Sequence, residues 1–364
     1  GEGVAGIEVR AMTPFGTGAG VRTDVGGAYT LTGVLAGTYT VTLPSSGYIV
    51  QPPYQMVNAP PSAQSVDFNV SRANSWVCWP RATPLSCVPD LLAVASAGDG
   101  TAWAVGMAGA IYFWDGSRWL RSASPTGQNL NGLAVRAPDD VWAVGLEGTV
   151  LHFDGHSWKQ LTTGDDTDLG AVAALAADDV WVVGLGGKIL HWNGTTWQTV
   201  PSGTQDVLRG IAMLSPNNGW AVGGTATSTQ LSSTILHWDG TSWKVFPSPV
   251  ELPVTAVVML SPTLGWAASG QGLLRWNGSF WAIDPTAART SYSALALRSP
   301  GDGWAIGYPD GKQALFHWDG TTWTPTLLPD WSRLLGVANT GDGKGVIVGY
   351  NGLTGHKSPG AGWA

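Results

Sequence analysis

Acidic and basic side chains that could carry out hydrolysis are sparse in this sequence. After residue 90 the only glutamates are Glu147 and Glu251. A glycoside hydrolase needs paired carboxylates, together with an arginine cluster where its substrate is anionic. No spacing singles out an acid and a nucleophile, so we predict a non-catalytic protein that uses no cofactor. The residues from which a hydrolase could be assembled are predicted to share one face: Arg121, Glu147, Asp165, Asp166, Asp168, Arg289, Tyr308, Asp310 and Arg333.

Histidines recur along the chain without predicting a metal centre. The recurring residues are His152, His191, His237 and His317, with Phe113 and Arg275 at the same position of other repeats. Ligands spread over separate repeats cannot share one metal ion, so we expect structural polar packing and no metal. The run Asp165-Asp166-Thr167-Asp168 could bind Ca²⁺ weakly or form a solvated loop. No calcium loop of the Asp-x-Asp-x-Asp-Gly type follows it.

Two cysteines, Cys78 and Cys87, stand nine residues apart. We expect a local disulfide between them. Such a bond would contribute about 2–3 kcal/mol and would indicate an oxidising compartment. Two free thiols or half of a metal site are the alternatives.

The composition excludes several classes of protein. Charged residues make up 12% of the 364 residues, and there are 51 Gly and 21 Trp. A helical protein carries more Glu, Lys and Arg, whereas Gly, Thr, Val and Trp favour strands and turns. A net charge of −7 without a basic patch argues against a nucleic-acid partner. No apolar stretch approaches 18 residues, which argues against membrane insertion, and a start at Gly1 suggests a processed or trimmed form.

Tryptophans define an internal repeat. One series recurs at steps of 39, 39, 39, 46 and 38 residues: Trp103, Trp142, Trp181, Trp220, Trp266 and Trp304. A second series recurs at steps of 39, 39, 46, 38 and 42 residues: Trp119, Trp158, Trp197, Trp243, Trp281 and Trp323. Both series lengthen by seven residues in the fourth repeat, which fixes their common register.

One repeat, residues 169–205, contains four predicted strands. These strands are residues 169–173, 180–184, 188–192 and 196–200. Asn193-Gly194 is predicted to form a two-residue type I′ hairpin turn. Four antiparallel strands in about 40 residues are typical of a β-propeller blade.

The first strand of every repeat has a small third residue, at Ala93, Gly132, Ala171, Gly210, Ala256, Ala294 and Gly336. Innermost strands crowd a propeller axis, so these seven positions predict seven blades within residues 91–364. The last repeat is irregular, because Val346 replaces the tryptophan and the sequence stops before a full fourth strand. We expect residues 73–80 to pair with the last blade near residues 353–356 and to close the ring, with 71–90 as closing strand and disulfide loop.

The hairpin sequence Trp-Asp-Gly-Thr-Ser-Trp at 238–243 recurs in five other repeats, with Asn193 and Asn277 in place of Asp. It resembles the Asp-box (BNR) of sialidase-like propellers, which include photosystem II assembly-factor propellers. That resemblance implies a propeller with a structural role for the hairpin, although the spacing is shortened to Asp-Gly-x-x-Trp. The Trp-Asp dipeptide also resembles WD-repeat propellers, but their Gly-His element is missing.

Residues 1–70 have a different sequence pattern, in which short predicted strands alternate with Gly-rich turns. Strands are predicted at 4–9, 28–31, 35–43 and 66–70, with the Pro-rich stretch 51–61 as a loop. This spacing predicts a small β-sandwich. The runs 3–9, 23–29 and 35–41 resemble carboxypeptidase regulatory-like and collagen-adhesin B-type domains, which are prealbumin-like and Ig-like sandwiches. The resemblance implies a spacer domain. The isopeptide bond of some relatives cannot form here, because this region contains no Lys.

Two features could involve carbohydrate. The recurring tryptophans could stack on sugars, but we expect them to pack between blades because every repeat carries them at the same strand positions. Asn69, Asn193 and Asn277 match the glycosylation acceptor pattern, although the last two also start predicted hairpin turns.

The seven extra residues of the fourth repeat lie between Gly224 and Ser233, between a predicted second and third strand. Loops that carry function project from rigid scaffolds. We therefore expect this loop to border the principal contact surface; a solvated extension without a role is the alternative. The candidate binding residues are Thr225, Thr227, Thr229, Gln230, Tyr308 and Trp331.

The sequence therefore predicts an all-β protein in which a small N-terminal β-sandwich spaces a seven-bladed β-propeller. We expect a secreted, extracellular or cell-surface protein that uses its propeller for contacts with a protein partner, adhesion or self-assembly. A lectin-like propeller that binds a glycan is the second hypothesis, and a sialidase-like glycoside hydrolase is the third.

Overall fold

A computed structural model describes residues 8–12, 18–24, 28–31, 37–42, 48–51, 54–59, 69–72, 89–327, 333–341 and 344–357. The described chain is all-β apart from four single 3₁₀ turns. Its main body is a seven-bladed propeller that begins at Leu91.

The N-terminal residues form two small sheets. Their strands are β1 (Glu8–Met12), β2 (Gly18–Arg22), β3 (Gly37–Thr42), β4 (Tyr48–Gln51), β5 (Tyr54–Ala59) and β6 (Asn69–Arg72), in the sheet orders β2-β1-β3-β5 and β4-β6. Val9, Ala11 and Val41 are buried. A packed sandwich, and the boundary of this domain at residue 70, stay predictions.

Two strand predictions in this region are wrong. The Pro-rich stretch 51–61 was expected to be a loop, but residues 54–59 pair with β3 along their whole length. Proline prevents strand pairing only where it stands, and the alternating residues after Pro53 are free to extend. Conversely, residues 28–31 form no strand. Ala28 instead donates its backbone N–H to Asp24 Oδ1 at 3.0 Å, which makes this segment part of a turn.

Six blades contain four described antiparallel strands and the seventh contains three. Blade 1 comprises β7 (Leu91–Ala95), β8 (Ala102–Gly106), β9 (Ile111–Trp114) and β10 (Trp119–Ser122); blade 2 β11 (Leu130–Ala137), β12 (Asp140–Gly145), β13 (Val150–Phe153) and β14 (Trp158–Leu161); blade 3 β15 (Leu169–Ala176), β16 (Asp179–Gly184), β17 (Ile189–Trp192) and β18 (Trp197–Thr199). Blade 4 comprises β19 (Leu208–Ser215), β20 (Asn218–Gly223), β21 (Thr234–Trp238) and β22 (Trp243–Phe246); blade 5 β23 (Val254–Ser261), β24 (Leu264–Ser269), β25 (Gly272–Trp276) and β26 (Trp281–Ile283); blade 6 β27 (Tyr292–Ser299), β28 (Asp302–Gly307), β29 (Ala314–Trp318) and β30 (Trp323–Leu327); blade 7 β31 (Leu334–Gly341), β32 (Lys344–Gly349) and β33 (Thr354–Lys357).

The small third residue of each first strand is required because the neighbouring first strand lies against it. A Cβ atom on Gly132 would stand 2.7 Å from the carbonyl oxygen of Gly170 and 2.9 Å from the Cα of Ala171. A Cβ on Gly336 would stand 3.0 Å from Val94 Cγ1. Each first strand packs against the first strands of both neighbours, and β31 packs against β7. The seven first strands therefore surround the axis as a closed ring, as the sequence predicted.

The second-strand tryptophans fill the interfaces between blades. Trp103 of blade 1 packs against Phe153 and Trp158 of blade 2, with ring centroids 4.9 and 5.3 Å apart. The same contact recurs at Trp142–Trp197, Trp181–Trp243 and Trp220–Trp281. All six second-strand tryptophans are at most 2% exposed. They pack between blades, as expected, and offer no ring face to a sugar.

The turn between the third and fourth strands has four residues, and the prediction of a two-residue type I′ turn is wrong. In blade 3, Trp192 pairs with Trp197, so residues 193–196 form the loop. Asn193 Oδ1 accepts the backbone N–H groups of Thr195 and Thr196 at 3.0 and 2.9 Å. Only Gly194 has a positive φ, of 89°, whereas a type I′ turn needs two such residues. An Asx turn therefore shapes the loop.

Blade 7 departs from the other blades as the sequence indicated. Val346 occupies the second-strand tryptophan position and packs with Trp114 of blade 1, and His356 stacks on the same indole at 5.2 Å. The predicted closing segment 73–80 and the cysteines Cys78 and Cys87 lie outside the described residues. Their pairing stays a prediction.

Candidate functional site

One face of the ring, here called the upper face, carries two kinds of loop. These are the loops from second to third strands and the connectors from each fourth strand to the next blade. In four blades the first kind is a single 3₁₀ turn: Met107–Gly109, Leu185–Gly187, Pro309–Gly311 and Tyr350–Gly352. The lower face carries the turns from first to second strands and the Asx-turn hairpins.

A large apolar residue follows the second strand in five blades. This set, the apolar ring, consists of Met107, Leu146, Leu185, Tyr308 and Tyr350. Three of its members are well exposed, at 39% for Met107, 43% for Leu185 and 40% for Tyr350. The other two are half-buried. Blades 4 and 5 have glycine at this position. The insertion of blade 4 nevertheless presents Leu231, which is 58% exposed.

Exposed apolar side chains are concentrated on the upper face. Among the described residues, six large apolar side chains are exposed, and four of them lie on this face: Met107, Leu185, Leu231 and Tyr350. Val245 lies on an outer strand, and Phe280 lies on a lower-face hairpin. Exposed apolar residues scattered singly carry no meaning, but a recurring set on one face indicates an interaction surface.

The turns that present the apolar ring are tied to the neighbouring blade. In three blades the backbone N–H of the central turn residue donates to a side-chain oxygen at the start of the next blade. The pairs are Ala108–Asn129 at 2.9 Å, Glu147–Asp168 at 3.0 Å and Asn351–Asp90 at 2.6 Å. These hydrogen bonds hold the turns in place, and a preordered surface loses less entropy on binding.

Carboxylates gather on the upper face between blades 2 and 3. Lys188 Nζ lies 2.5 Å from Asp165 Oδ2, and this hydrogen bond, with one from Thr167, lowers the pKa of Asp165 to about 2. Glu147 Oε2 accepts a hydrogen bond from Gln128 at 2.6 Å. Asp166 is exposed. This sector of the face is therefore negatively charged at neutral pH.

The carboxylate of Asp206 anchors both ends of the blade 4 insertion. It accepts hydrogen bonds from the hydroxyls of Thr225 at 2.7 Å, Ser232 at 2.8 Å and Thr234 at 2.5 Å. Burial alone would raise the pKa of Asp206, but these hydroxyl hydrogen bonds outweigh it and lower that pKa below its ordinary value. The hydroxyl of Thr225 therefore anchors the loop, and the expected contact of Thr225 with a partner stays a prediction.

The tip of the insertion projects from the upper face, where the sequence placed it. Thr227 donates its backbone N–H to the Gln230 carbonyl at 2.8 Å, and its hydroxyl accepts the Gln230 N–H at 3.0 Å. Thr227, Thr229 and Gln230 are all exposed. Tyr308 lies on the same face two blades away, where its hydroxyl accepts a hydrogen bond from Gln313 at 3.0 Å. Trp331 lies outside the described residues.

The residues from which a hydrolase could be assembled do not form one group. The acids Glu147, Asp165, Asp166 and Asp168 meet between blades 2 and 3, whereas Arg289, Asp310 and Arg333 belong to the loops of blades 6 and 7. Arg121 was expected in an upper-face loop, but it lies within β10, paired with Tyr112.

The recurring histidines pack within blades, as expected. His152 Nε2 lies 3.0 Å from Asp140 Oδ1, and its ring stacks on Trp142 at 4.2 Å. The other three histidines repeat the ring contact, His191 on Trp181, His237 on Trp220 and His317 on Trp304. His191 and His317 also contact an Asp, whereas His237 contacts Asn218. Arg275 takes the place of histidine in blade 5 and lies 5.1 Å above the Trp266 ring. These side chains brace the blades.

The remaining features to consider are the three glycosylation acceptor positions, metal ligands and membrane-spanning helices. Asn193 and Asn277 are the capping residues of lower-face hairpins, and Asn69 begins β6. Within the described residues, no three His, Cys, Asp or Glu side chains are grouped as metal ligands. No helix in the described part of the chain has the length and hydropathy needed to cross a membrane.

The sequence reasoning missed the apolar ring. Four of its members were not candidates, although a signal for them existed: each directly follows the glycine that ends a second strand, as in Gly106-Met107 and Gly349-Tyr350. Strand periodicity alone does not show that this position is exposed, because the five residues that precede it are apolar and buried in both strands.

No family model matches the sequence, and no curated protein matches it. Solved propeller structures are similar to it. The structure of YCF48 bound to D1 peptide matches with a TM-score of 0.57 and 19% identity. The alignment covers 74% of this chain and 93% of the YCF48 chain. YCF48 from Cyanidioschyzon merolae matches with a TM-score of 0.56 and 17% identity, and the alignment covers 75% of this chain and 96% of the YCF48 chain. The WD40 propeller domain of Doa1 matches with a TM-score of 0.61 and 13% identity, and the alignment covers 74% of this chain and 93% of the Doa1 chain.

At these identities the likeness concerns the fold alone. An assembly-factor propeller and WD-repeat propellers, both suggested by the hairpin motif, are confirmed as structural neighbours, and the wider sialidase-like relation stays a prediction. The chain carries an all-β, seven-bladed propeller with structural similarity to YCF48, a photosystem II assembly factor, and to WD40 propellers.

Proposed function

We propose that this protein is a non-catalytic binding protein whose upper face holds a segment of a partner protein. The apolar ring is the observation that carries the proposal. Five blades place Met, Leu or Tyr at the same position of one face, and three of these side chains are well exposed. Exposed apolar side chains that recur on one face of a rigid scaffold favour a protein interface.

The chemistry of the ring favours a protein partner over a glycan. Sugars bind to flat aromatic faces, and a lectin with repeated sites would repeat one exposed aromatic residue. The ring instead mixes Met, Leu and Tyr, while the six second-strand tryptophans that do repeat are buried between blades. Variation at one position around the ring suits a single asymmetric partner. The lectin-like propeller stays the alternative.

A structural neighbour supports peptide binding on this architecture. YCF48 has been solved with a peptide bound, and it shares the propeller over most of its length. That likeness does not locate the peptide on this chain. It supports the proposal that a propeller of this architecture can hold a peptide segment.

The acids of the upper face also suit binding better than hydrolysis. A glycosidase needs a general acid whose pKa is raised. Hydrogen bonds instead lower the pKa of Asp165 to about 2 and hold the pKa of Asp206 below its ordinary value. Asp168 accepts the Glu147 N–H. The lowered pKa values keep Asp165 and Asp206 ionised, and all three side chains shape the loops, which supports a non-catalytic role.

We further propose that residues 1–70 form a prealbumin-like spacer and that the protein acts outside the cell or at its surface. The short strands between Gly turns and the Cys78–Cys87 pair support this placement. A spacer that holds the upper face away from the cell surface would suit a role in adhesion or assembly.

The ring can be tested by replacing its exposed members. A random dodecapeptide library is selected against the full chain, and the affinity of a selected synthetic peptide is then measured by fluorescence polarisation. The triple variant M107D/L185D/Y350D is expected to weaken binding at least tenfold, about 1.4 kcal/mol. The control V245D/F280D changes two exposed apolar residues off the upper face and is expected to keep the affinity.

Two outcomes would overturn the proposal. A library that gives no binder, or binders that the triple variant retains at full affinity, would show that the apolar ring is not the contact surface. Selected peptides that lose affinity only in the V245D/F280D control would place the binding surface elsewhere. Light scattering at rising concentration separates self-assembly from partner binding.

A further inference from the structure

The negative sector of the upper face defines the chemistry of the partner segment. We propose that blades 2 and 3 bind an extended segment in which a Lys or Arg stands next to an aliphatic residue. This inference rests on the proposed function and adds the partner's charge and its place on the ring.

Two members of the apolar ring flank the connector between blades 2 and 3. The Leu146–Gly148 turn contacts it on one side, where the Gly148 N–H donates to the Thr167 carbonyl at 3.1 Å. On the other side, Leu185 donates its N–H to the Asp168 carbonyl at 3.0 Å. The connector therefore lies between two leucines of neighbouring blades, and its acidic side chains border an apolar surface.

The charge of this patch is strongly unbalanced. The turn and connector contribute Glu147, Asp165, Asp166 and Asp168, against one cation, Lys188, which is bound to Asp165. Glu147 and Asp166 are exposed. No described residue forms a hydrogen bond or ion pair with the Asp166 side chain. A cationic side chain of a partner would supply the charge that the patch lacks, whereas an acidic segment would be repelled.

The opposite side of the face has a different balance. The described loops of blades 6 and 7 carry Arg289, Lys312 and Arg333 beside Asp284 and Asp310. Among the described residues, this side is therefore less negative than the connector between blades 2 and 3, which gives a basic segment a preferred side. A second copy of this chain is a poorer occupant, because its 18 Lys and Arg are outnumbered by 25 Asp and Glu and give a net charge of −7.

Exposed charge pairs are individually weak, and salt screens them. Their contribution is therefore measurable as a salt-dependent part of the affinity. The aliphatic neighbour of the cation would contact Leu146 and Leu185 and would contribute a part that salt does not weaken.

The peptides selected against the full chain provide the first readout. We expect Lys or Arg next to Leu, Ile, Val or Met to be enriched among them. The double variant E147K/D166K is expected to weaken a selected peptide at least tenfold at 50 mM salt and about twofold at 500 mM. The control D310K changes a residue in the same left-handed turn position as Glu147, with φ of 52° at both. We expect it to change affinity less than twofold.

The outcomes separate this inference from the proposed function. Peptides that M107D/L185D/Y350D weakens, but that show no basic enrichment and bind E147K/D166K unchanged, would overturn the inference and leave the binding face standing. Peptides equally weakened by D310K would show a general charge effect and would also overturn it. A selection that yields no peptide sensitive to the ring variant would overturn both.

Discussion

The backbone N–H of Asn351 donates to the carboxylate of Asp90 at 2.6 Å and so joins the last blade to the first. The two residues are 261 positions apart. The same contact joins blades 1 and 2 at Ala108–Asn129 and blades 2 and 3 at Glu147–Asp168. Ring closure on the upper face therefore uses the repeat's own inter-blade hydrogen bond.

Removing the acceptor at this junction should weaken ring closure. Asp90→Ala leaves the Asn351 N–H to water and is expected to lower the free energy of unfolding by about 0.5–1.5 kcal/mol. Asp90→Asn keeps an oxygen at the same place, as Asn129 does between blades 1 and 2, and should be nearly neutral. Urea denaturation of both variants provides the measurement. Equal stability of Asp90→Ala and the wild type would show that this hydrogen bond does not hold the ring.

The tryptophans between blades should dominate stability. Trp220 is 2% exposed and contacts both Trp276 and Trp281 of the next blade. Trp220→Ala creates a cavity there and is expected to cost about 3–5 kcal/mol. Trp192 is half-exposed, so Trp192→Ala should cost clearly less. Similar denaturation midpoints for the two variants would contradict the assigned packing.

The histidine of blade 4 should make stability depend on pH. Burial lowers the pKa of His237 below 6.5. As the pH falls through 6.5, the unfolded chain binds the proton before the folded chain does, so stability is full at higher pH and is lost as the pH falls. The partner of His237 is Asn218, at 3.1 Å, whereas His152, His191 and His317 have an Asp. Asn218→Asp should raise the pKa of His237, because a carboxylate favours the charged imidazole, and should reduce the loss of stability in acid. An NMR titration of His237 measures this directly; a wild-type midpoint above 6.5 would contradict it.

The insertion of blade 4 should be removable if its anchor is kept. Replacing residues 227–230 by Asn-Gly leaves Ala226 and Leu231 joined by a two-residue turn. The free energy of unfolding should change by less than about 0.5 kcal/mol. Asp206→Ala, which releases both ends of the loop, should cost about 1–3 kcal/mol. Affinity for a selected peptide should fall at least tenfold in the loop variant if the loop borders the contact surface. An unchanged affinity would show that the loop has no part in binding.

Cys78 and Cys87 should form a disulfide in protein prepared without reductant. Peptide mapping by mass spectrometry before and after reduction measures the bond. Cys78→Ser/Cys87→Ser should lower stability by about 2–3 kcal/mol if the bond closes the loop as expected. Two free thiols in protein kept under oxidising conditions would refute the assignment.

The local chemistry of the sequence determined the architecture of the propeller. Two tryptophan series and a small third residue in each first strand were enough for seven blades, because a Cβ at Gly132 or Gly336 would meet the neighbouring first strand. The packing role of the tryptophans also followed from their periodicity. These features repeat, and repetition can be read without knowing where any strand lies in space.

Only the tertiary structure decided those features that depend on the exposure of a side chain or on contacts with other parts of the chain. Residues 54–59 became a strand because β3 offered a partner, and the hairpin became an Asx turn because the side chain of Asn193 satisfied two N–H groups. Met107 and Leu185 look like ends of buried strands in the sequence. They are exposed because the chain turns at this point in a left-handed conformation, at Ala108 and Gly186, and leaves the side chain that precedes the turn on the face of the ring.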